Sequence, residues 1–336
     1  MLAFLKRPPV ALSIGLAFSG LFLWLAMRNI DLGSLGPTIS KANWHWFPAS
    51  ALSLAAFCVV KAWRWAELLK VDDRATTGML LPPLLIGYMF TSLLPMQLGE
   101  IVRAHVAARR LQQPFTLVLS SMIAERVFDV ISILFVFAVS ILVGATGQPM
   151  AYTGAGLLAG IAIFLLILLV LSAKRPESVR RSVRTAFKKA GPKTLSAIMS
   201  KCDSFLLGLA ALDRAESLLK LFFLSVGQWL FMWGCVAISL LALGIEVSLV
   251  ASITVLVALI LGMMLPAGPG HIGTFQLAFT LTLSVFGVPG TDAFAASVYY
   301  QVTLLGPLIV AGMLALKGSD LTLSTASKLQ DDREGI

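Results

Sequence analysis

Charge is what this chain has least of. Asp, Glu, Lys and Arg make up 13% of its 336 residues, against about 25% in soluble domains. Mean hydropathy is +0.89 and 58% of the residues are hydrophobic. Such a deficit excludes an ordinary water-soluble surface. The net charge of +9 therefore reads as topology and attraction to anionic lipid, with no nucleic-acid partner. Cysteine is scarce too. Cys58, Cys202 and Cys235 are an odd number, and two lie in apolar runs, which argues against a disulfide framework. The three histidines, His45, His105 and His271, have no ligand spacing, so no metal and no cofactor are expected. There is no phosphate-binding loop, no H-E-x-x-H, no G-x-S-x-G and no dinucleotide fingerprint. An intramembrane hydrolase normally needs a histidine beside a nucleophile or second acid-base group. Isolated histidines point away from an enzyme.

What the chain does have is apolar length. Six runs approach or exceed the roughly 20 residues that a helix needs to cross a 30 Å hydrocarbon core: 10–27, 47–65, 115–143, 151–173, 219–243 and 293–316. The first follows Lys6-Arg7 without a clean small-residue cleavage site, so it reads as a retained span. Two further pieces are short and interrupted. Residues 80–94 meet Pro95 and continue as a polar helix through Glu100 and Arg103. Residues 249–265 meet Pro266-Ala-Gly268-Pro269-Gly270 and resume through Phe286. If 80–94 crossed fully, Arg103, Arg109, Arg110 and the basic 174–220 loop would face outward. If it dips in and returns, these basic clusters fall on the cytoplasmic side, which the positive-inside rule favours. The expected fold is an all-α polytopic membrane protein. It has six spanning helices plus two oppositely oriented re-entrant hairpins, an inverted pseudo-repeat, with both termini cytoplasmic. One transmembrane domain would occupy 1–320, with a short cytoplasmic tail at 321–336.

Each break carries the same local pattern. Pro95 is followed four residues later by Gly99, and Pro266 by Gly270, with Gly273 beyond. Paired Gly/Pro interruptions in opposite orientation point to a transporter binding site. Irregular backbone is tolerated at membrane depth only where protein or water satisfies it, and half-helix N-termini suit phosphate. The bland alternative is a pair of kinked structural spans.

A second constellation is Glu125, Arg126 and Asp129. The apolar stretch after it, 130–143, covers about 21 Å, short of the core, so Asp129 is expected at membrane depth. Charges there default to function, with internal ion pairs as the structural alternative. Arg64 ends the second span at the same height. Arg64, Glu100, Arg103, Glu125, Arg126 and Asp129 are the candidate substrate-binding residues of a cavity open to the cytoplasm. His271 reads first as a structural hydrogen-bonder and second as a proton-coupling group. Gln228, Gln276 and Gln301 read as interhelical hydrogen-bonders. Trp44, Trp46, Trp63 and Trp65 read as an interfacial belt.

The 174–218 segment is basic and amphipathic; residues 174–220 hold eleven Lys/Arg against four acidic residues. Residues 198–212 place Ile198, Cys202, Phe205, Leu206, Leu209 and Leu212 at helical spacing, as in a helix lying on the inner leaflet. The segment reads as a surface anchor before it reads as a trap for anionic head groups.

With these residues in view, the chain resembles the lysylphosphatidylglycerol synthase transmembrane, or flippase-like, family. The resemblance rests on Arg64-Trp65 with Leu68-Leu69, on Leu94-Pro95-Met-Gln-Leu-Gly99-Glu100 with Arg103, on Glu125-Arg126 with Asp129, and on Pro266 to Phe275. Gln276 departs from the acidic residue of many members. The resemblance implies a lipid flippase without the soluble aminoacyl-transferring domain, located in the bacterial inner (plasma) membrane. The partner would be an anionic phospholipid or lipid-linked sugar. The alternative is a non-transporting subunit that assists a lipid or glycolipid, for instance hopanoid, biosynthesis enzyme.

Overall fold

The computed structural model describes residues 8–28, 30–69, 74–94, 97–144, 160, 163–164, 166–188, 192–263, 265 and 267–318. Among these residues the fold is all-helical, with no strand. The helices are α1 (Pro8–Met27), α2 (Leu32–Ser40), α3 (Phe47–Leu68), α4 (Thr77–Leu93), α5 (Leu98–Leu111), α6 (Phe115–Gly144), α7 (Pro176–Ala186), α8 (Pro192–Leu207), α9 (Ala215–Ala242), α10 (Leu249–Met263), α11 (Thr274–Val285) and α12 (Gly290–Lys317). Residues 166–174 are also helical. Among the described residues, three helices are long and apolar enough to cross a membrane: Trp44–Leu68, Ala215–Ala242 and Gly290–Lys317. They make this a multi-pass membrane protein. α6 is 30 residues long and carries Glu125, Arg126 and Asp129 in its middle. Most of the expected 151–173 span, and the 321–336 tail, lie outside the described residues, as do Pro95 and Pro266.

The chain divides into two compact units. One takes Met1–Ala56, Pro82–Arg103 and Leu230–Ile336; the other takes Phe57–Leu81 and Ala104–Trp229. In the first unit, α11 packs against α1, α10 and α12, and α2 against α12. Glycine sets how closely helices approach. A Cβ on Gly87 of α4 would lie 2.6 Å from the Arg103 Cβ of α5, and one on Gly99 would lie 2.2 Å from the Gly87 carbonyl oxygen. A Cβ on Gly312 of α12 would meet the Met89 Cβ of α4 at 2.4 Å. Backbone-to-backbone contact of this kind gains dispersion and exists only where small residues permit it. α4 and α5 therefore pack in close contact.

In the second unit, one core gathers Trp65, Leu69, Leu80, Ala107, Leu111 and Leu117, and another Leu68, Ala124, Phe128, Leu209, Leu212 and Leu221. Two sequence expectations change here. Residues 198–212 are not one leaflet-lying helix: α8 ends at Leu207, and Leu206, Leu209 and Leu212 are buried within the protein. Gly208 lets this turn seat directly on α6, where a Cβ would lie 2.4 Å from the Leu117 carbonyl oxygen. The apolar spacing marked a protein-facing stripe, which has the same period as a lipid-facing one. Trp65 is not a belt residue either. It is fully buried, and its indole N–H donates to Ser121 Oγ at 3.0 Å. Trp44, Trp46 and Trp63 remain exposed, as interfacial tryptophans would be.

Candidate functional site

The two helix breaks touch in the first unit. The Gln97 side-chain amide, in the turn that opens α5, donates to the Met263 carbonyl at the end of α10. That carbonyl belongs to a last turn without intrahelical partners. A Cβ on Gly270 would come within 3.7 Å of the Ser92 carbonyl oxygen, near the end of α4. Gln97 has φ 55°, Gly270 φ 67°, His271 φ 54° and Gly273 φ 86°. A left-handed backbone at Gln97 and His271 is strained for residues with a Cβ, and it is held by surrounding contacts.

The second break is anchored from three sides. Gly268 N–H donates to Ser19 Oγ of α1 at 2.9 Å. Gly15 and Gly273 leave room for α1: a Cβ on Gly273 would lie 2.4 Å from the Ser19 carbonyl oxygen, and one on Gly15 would lie 2.9 Å from that of Ala267. Gln276 Oε1 accepts from the Gly273 N–H at 2.7 Å, and its amide donates to Gln301 Oε1 at 2.7 Å. Gln301 Nε2 in turn donates to the Gly270 carbonyl at 2.7 Å. Gln276 and Gln301 are thus the interhelical hydrogen-bonders that the sequence suggests. His271 is not one. It is buried, it stacks on Phe275 with ring centroids 5.6 Å apart, and neither ring nitrogen has a hydrogen-bond partner.

The charged group lies in the second unit and includes a member that sequence reading passed over, Lys61. Lys61 Nζ is 2.6 Å from Glu125 Oε1 and 3.5 Å from Asp129 Oδ2. Arg64 Nη2 is 3.1 Å from Glu125 Oε1, and Arg64 Nη1 is 2.7 Å from Asp129 Oδ1. Arg64 Nη1 also donates to Ser225 Oγ at 2.7 Å, and the Gln228 amide donates to Asp129 Oδ1 at 2.7 Å. All four charged side chains are buried. The spacing explains the pairing: Lys61 and Arg64 sit three apart on α3, Glu125 and Asp129 four apart on α6, so each helix presents one sign on one face. Two positive and two negative charges cancel. Removing ions from water is costly, and mutual pairing with added hydrogen bonds is what offsets it.

The other candidates fall elsewhere. Arg126 is exposed, off the face that carries Glu125 and Asp129. Glu100 and Arg103 belong to the first unit, where Arg103 Nη1 is 3.5 Å from Glu100 Oε2. Lys61 could have been found from the sequence as a second cation one turn before Arg64 in an apolar span, where intramembrane charge is a functional or pairing signal. Near the last turn of α3 and the first turns of α9, Lys220 pairs with Glu67 at 2.5 Å and lies 5.6 Å from the Trp63 ring centroid.

Comparison with known proteins agrees with this architecture. The family model described as the lysylphosphatidylglycerol synthase TM region matches residues 12–312, so the chain belongs to that family. A curated protein, Glycosyltransferase AglD of Haloferax volcanii, is 25% identical over 352 aligned positions, covering 94% of this chain. The chain spans 56%, about half, of the length of that relative. No solved structure matches.

Proposed function

We propose that this membrane protein moves a lipid, or a lipid-linked anionic head group, between the leaflets of the bacterial inner membrane. It does so without catalysing a chemical step. Its architecture is six spans and two re-entrant hairpins of opposite orientation, with both termini cytoplasmic. The single observation that carries this reading is the meeting of the two breaks, joined by Gln97 and the Met263 carbonyl. Discontinuous helices that converge within a bundle put free helix termini and irregular backbone where a polar cargo can be held. The N-terminus of α11 offers amide N–H groups and a positive dipole end to an anion. The acyl tails stay in lipid while the head group passes through the protein.

The buried Lys61, Arg64, Glu125 and Asp129 group supports this reading in a specific role. Its cations are already matched, so it holds α3 to α6 in this conformation. An anionic head group would engage Arg64 only by displacing a carboxylate, and the guanidinium fork suits phosphate oxygens for that exchange. The test is flipping of fluorescent anionic lipid by the purified chain in vesicles. Acceleration over protein-free vesicles, reduced by filling either break, supports the proposal. Folded protein that leaves the flipping rate at the protein-free level overturns it.

The relative's name favours a second reading, in which the chain is a non-transporting membrane subunit serving a lipid or glycolipid biosynthesis enzyme. Its signature is the absence of flipping together with co-purification of a sugar- or lipid-transferring enzyme.

A further inference from the structure

Outside the spans, α7 and α8 enclose a groove of about 1010 Å³. They are consecutive helices, and Arg180 of α7 bonds Asp203 of α8 through Nε at 2.6 Å and Glu177 through Nη1. A short connection between packed neighbours makes them antiparallel. The register set by Arg180 and Asp203 then places Arg184 opposite Met199 and Ser196, and Pro176 opposite Leu207, with Ala173 near Ala210. All of these residues line the groove. Its chemistry therefore changes along its length. One end presents Arg184 with the Ser196 and Ser200 hydroxyls beside Leu195 and Met199; the other presents Ala173, Leu206, Leu207 and Ala210, with Asp213 at the margin.

Two features tell what fits. Arg180 is committed to Asp203 and Glu177, whose hydrogen bonds raise its pKa, Asp203 first. Arg184 is exposed and, among the described residues, takes no part in the ion pairs that hold Arg180. It lies in a stretch where Lys174, Arg175, Arg180, Arg181, Arg184 and Lys188 face a single acid, Glu177. The apolar end is continuous with the helical residues at 166–174, whose outer side exposes Ile167, Leu168 and Leu171, next to exposed Ile163 and Phe164. That side has the character of a lipid-facing surface. A groove with a cationic, hydroxyl-lined end and an apolar end that runs onto a lipid-facing helix is complementary to an amphiphile, not to a free anion.

We infer that the α7–α8 groove seats one anionic phospholipid of the inner leaflet, its phosphate on Arg184 and the serine hydroxyls, its acyl chain along Leu207 and Ala173. This site is separate from the helix breaks and does not depend on translocation, so its test reads binding and not flipping. The full chain in detergent is titrated by native mass spectrometry with a short-chain phosphatidylglycerol, the phosphatidylcholine of equal chain length, and inorganic phosphate. Phosphatidylglycerol is expected to bind about tenfold more tightly than phosphatidylcholine, because both carry the phosphodiester but only the latter brings a quaternary ammonium, which the basic end repels. Arg184→Gln should abolish that preference. Leu207→Asp should weaken both lipids, and inorganic phosphate should not compete. Both side chains are exposed, so the variants keep the fold, which an unchanged melting temperature verifies. Wild-type phosphatidylglycerol affinity in both variants overturns the assignment. So does effective competition by inorganic phosphate with no effect of Leu207→Asp, which would mark an anion site without a lipid.

Discussion

Gln276 donates its amide to Gln301 at 2.7 Å while accepting the Gly273 N–H, so one side chain ties the start of α11 both to its own turn and to α12. Gln276 is a neutral residue that donates and accepts at once, and both capacities are used. Replacing it with an apolar residue leaves the buried Gly273 N–H and the part-buried Gln301 side-chain carbonyl without these partners. Gln276→Leu should lower stability by about 1–3 kcal/mol, read as a drop in melting temperature by intrinsic fluorescence. A melting temperature equal to wild type would mean that the second break is held by its glycine contacts with α1 alone.

The buried charges make a sharper case. Asp129→Ala leaves Lys61 and Arg64 to share the single carboxylate of Glu125, one buried cation too many, and removing one partner of a buried pair typically costs about 3–5 kcal/mol. The double change Arg64→Met with Asp129→Leu removes both charges and should recover much of that loss. Detergent-solubilised yield and thermal unfolding read both variants. If Asp129→Ala alone melts like wild type, the pairing does not hold α3 to α6.

Close approach can be tested by adding one carbon. Gly99→Ala puts a methyl 2.2–2.3 Å from the backbone of Gly87 and Thr91, and overpacking of that kind costs about 1–3 kcal/mol or more. Gly306→Ala on α12 meets nothing within 4 Å and should be neutral or stabilising by up to about 1 kcal/mol. Equal tolerance at the two positions in a thermal-shift series would contradict the close α4–α5 contact.

Topology follows from charge. In a Cys202→Ser background, with Cys58 and Cys235 buried, Arg109→Cys and Ser182→Cys should be modified by membrane-impermeant maleimide only when the cytoplasmic face is open to it. Modification of either in intact cells would reject the arrangement in which the first broken segment returns to its own side.

The long helices were legible because apolar length is a one-dimensional signal. The expected spans at 47–65, 219–243 and 293–316 fall inside α3, α9 and α12 or within a residue of their ends. Both interruptions were legible because Pro and Gly mark breaks without help from tertiary structure. What stayed hidden depends on which face of a helix meets what. Leu206, Leu209 and Leu212 have the spacing of a lipid-facing stripe and pack inward. Trp65, like Trp63, stands near a span end, yet one is sealed against Ser121 and the other open. Lys61 was passed over in the sequence, and its part shows once α6 is set beside α3 and Glu125 appears 2.6 Å away. α2 lies between the expected spans at 10–27 and 47–65 and was not anticipated; Asp31 accepts the Gly33 N–H and starts a helix there.

The cancellation of charge among Lys61, Arg64, Glu125 and Asp129 has an electrical consequence. A transmembrane voltage does work on net charge, about 2.3 kcal/mol per elementary charge carried across 100 mV. Two cations and two anions that share contacts of 2.6–3.5 Å present no net charge to that field. A displacement that carries the four together is therefore indifferent to membrane potential, and α3 and α6 can shift as a pair without acting as a voltage sensor.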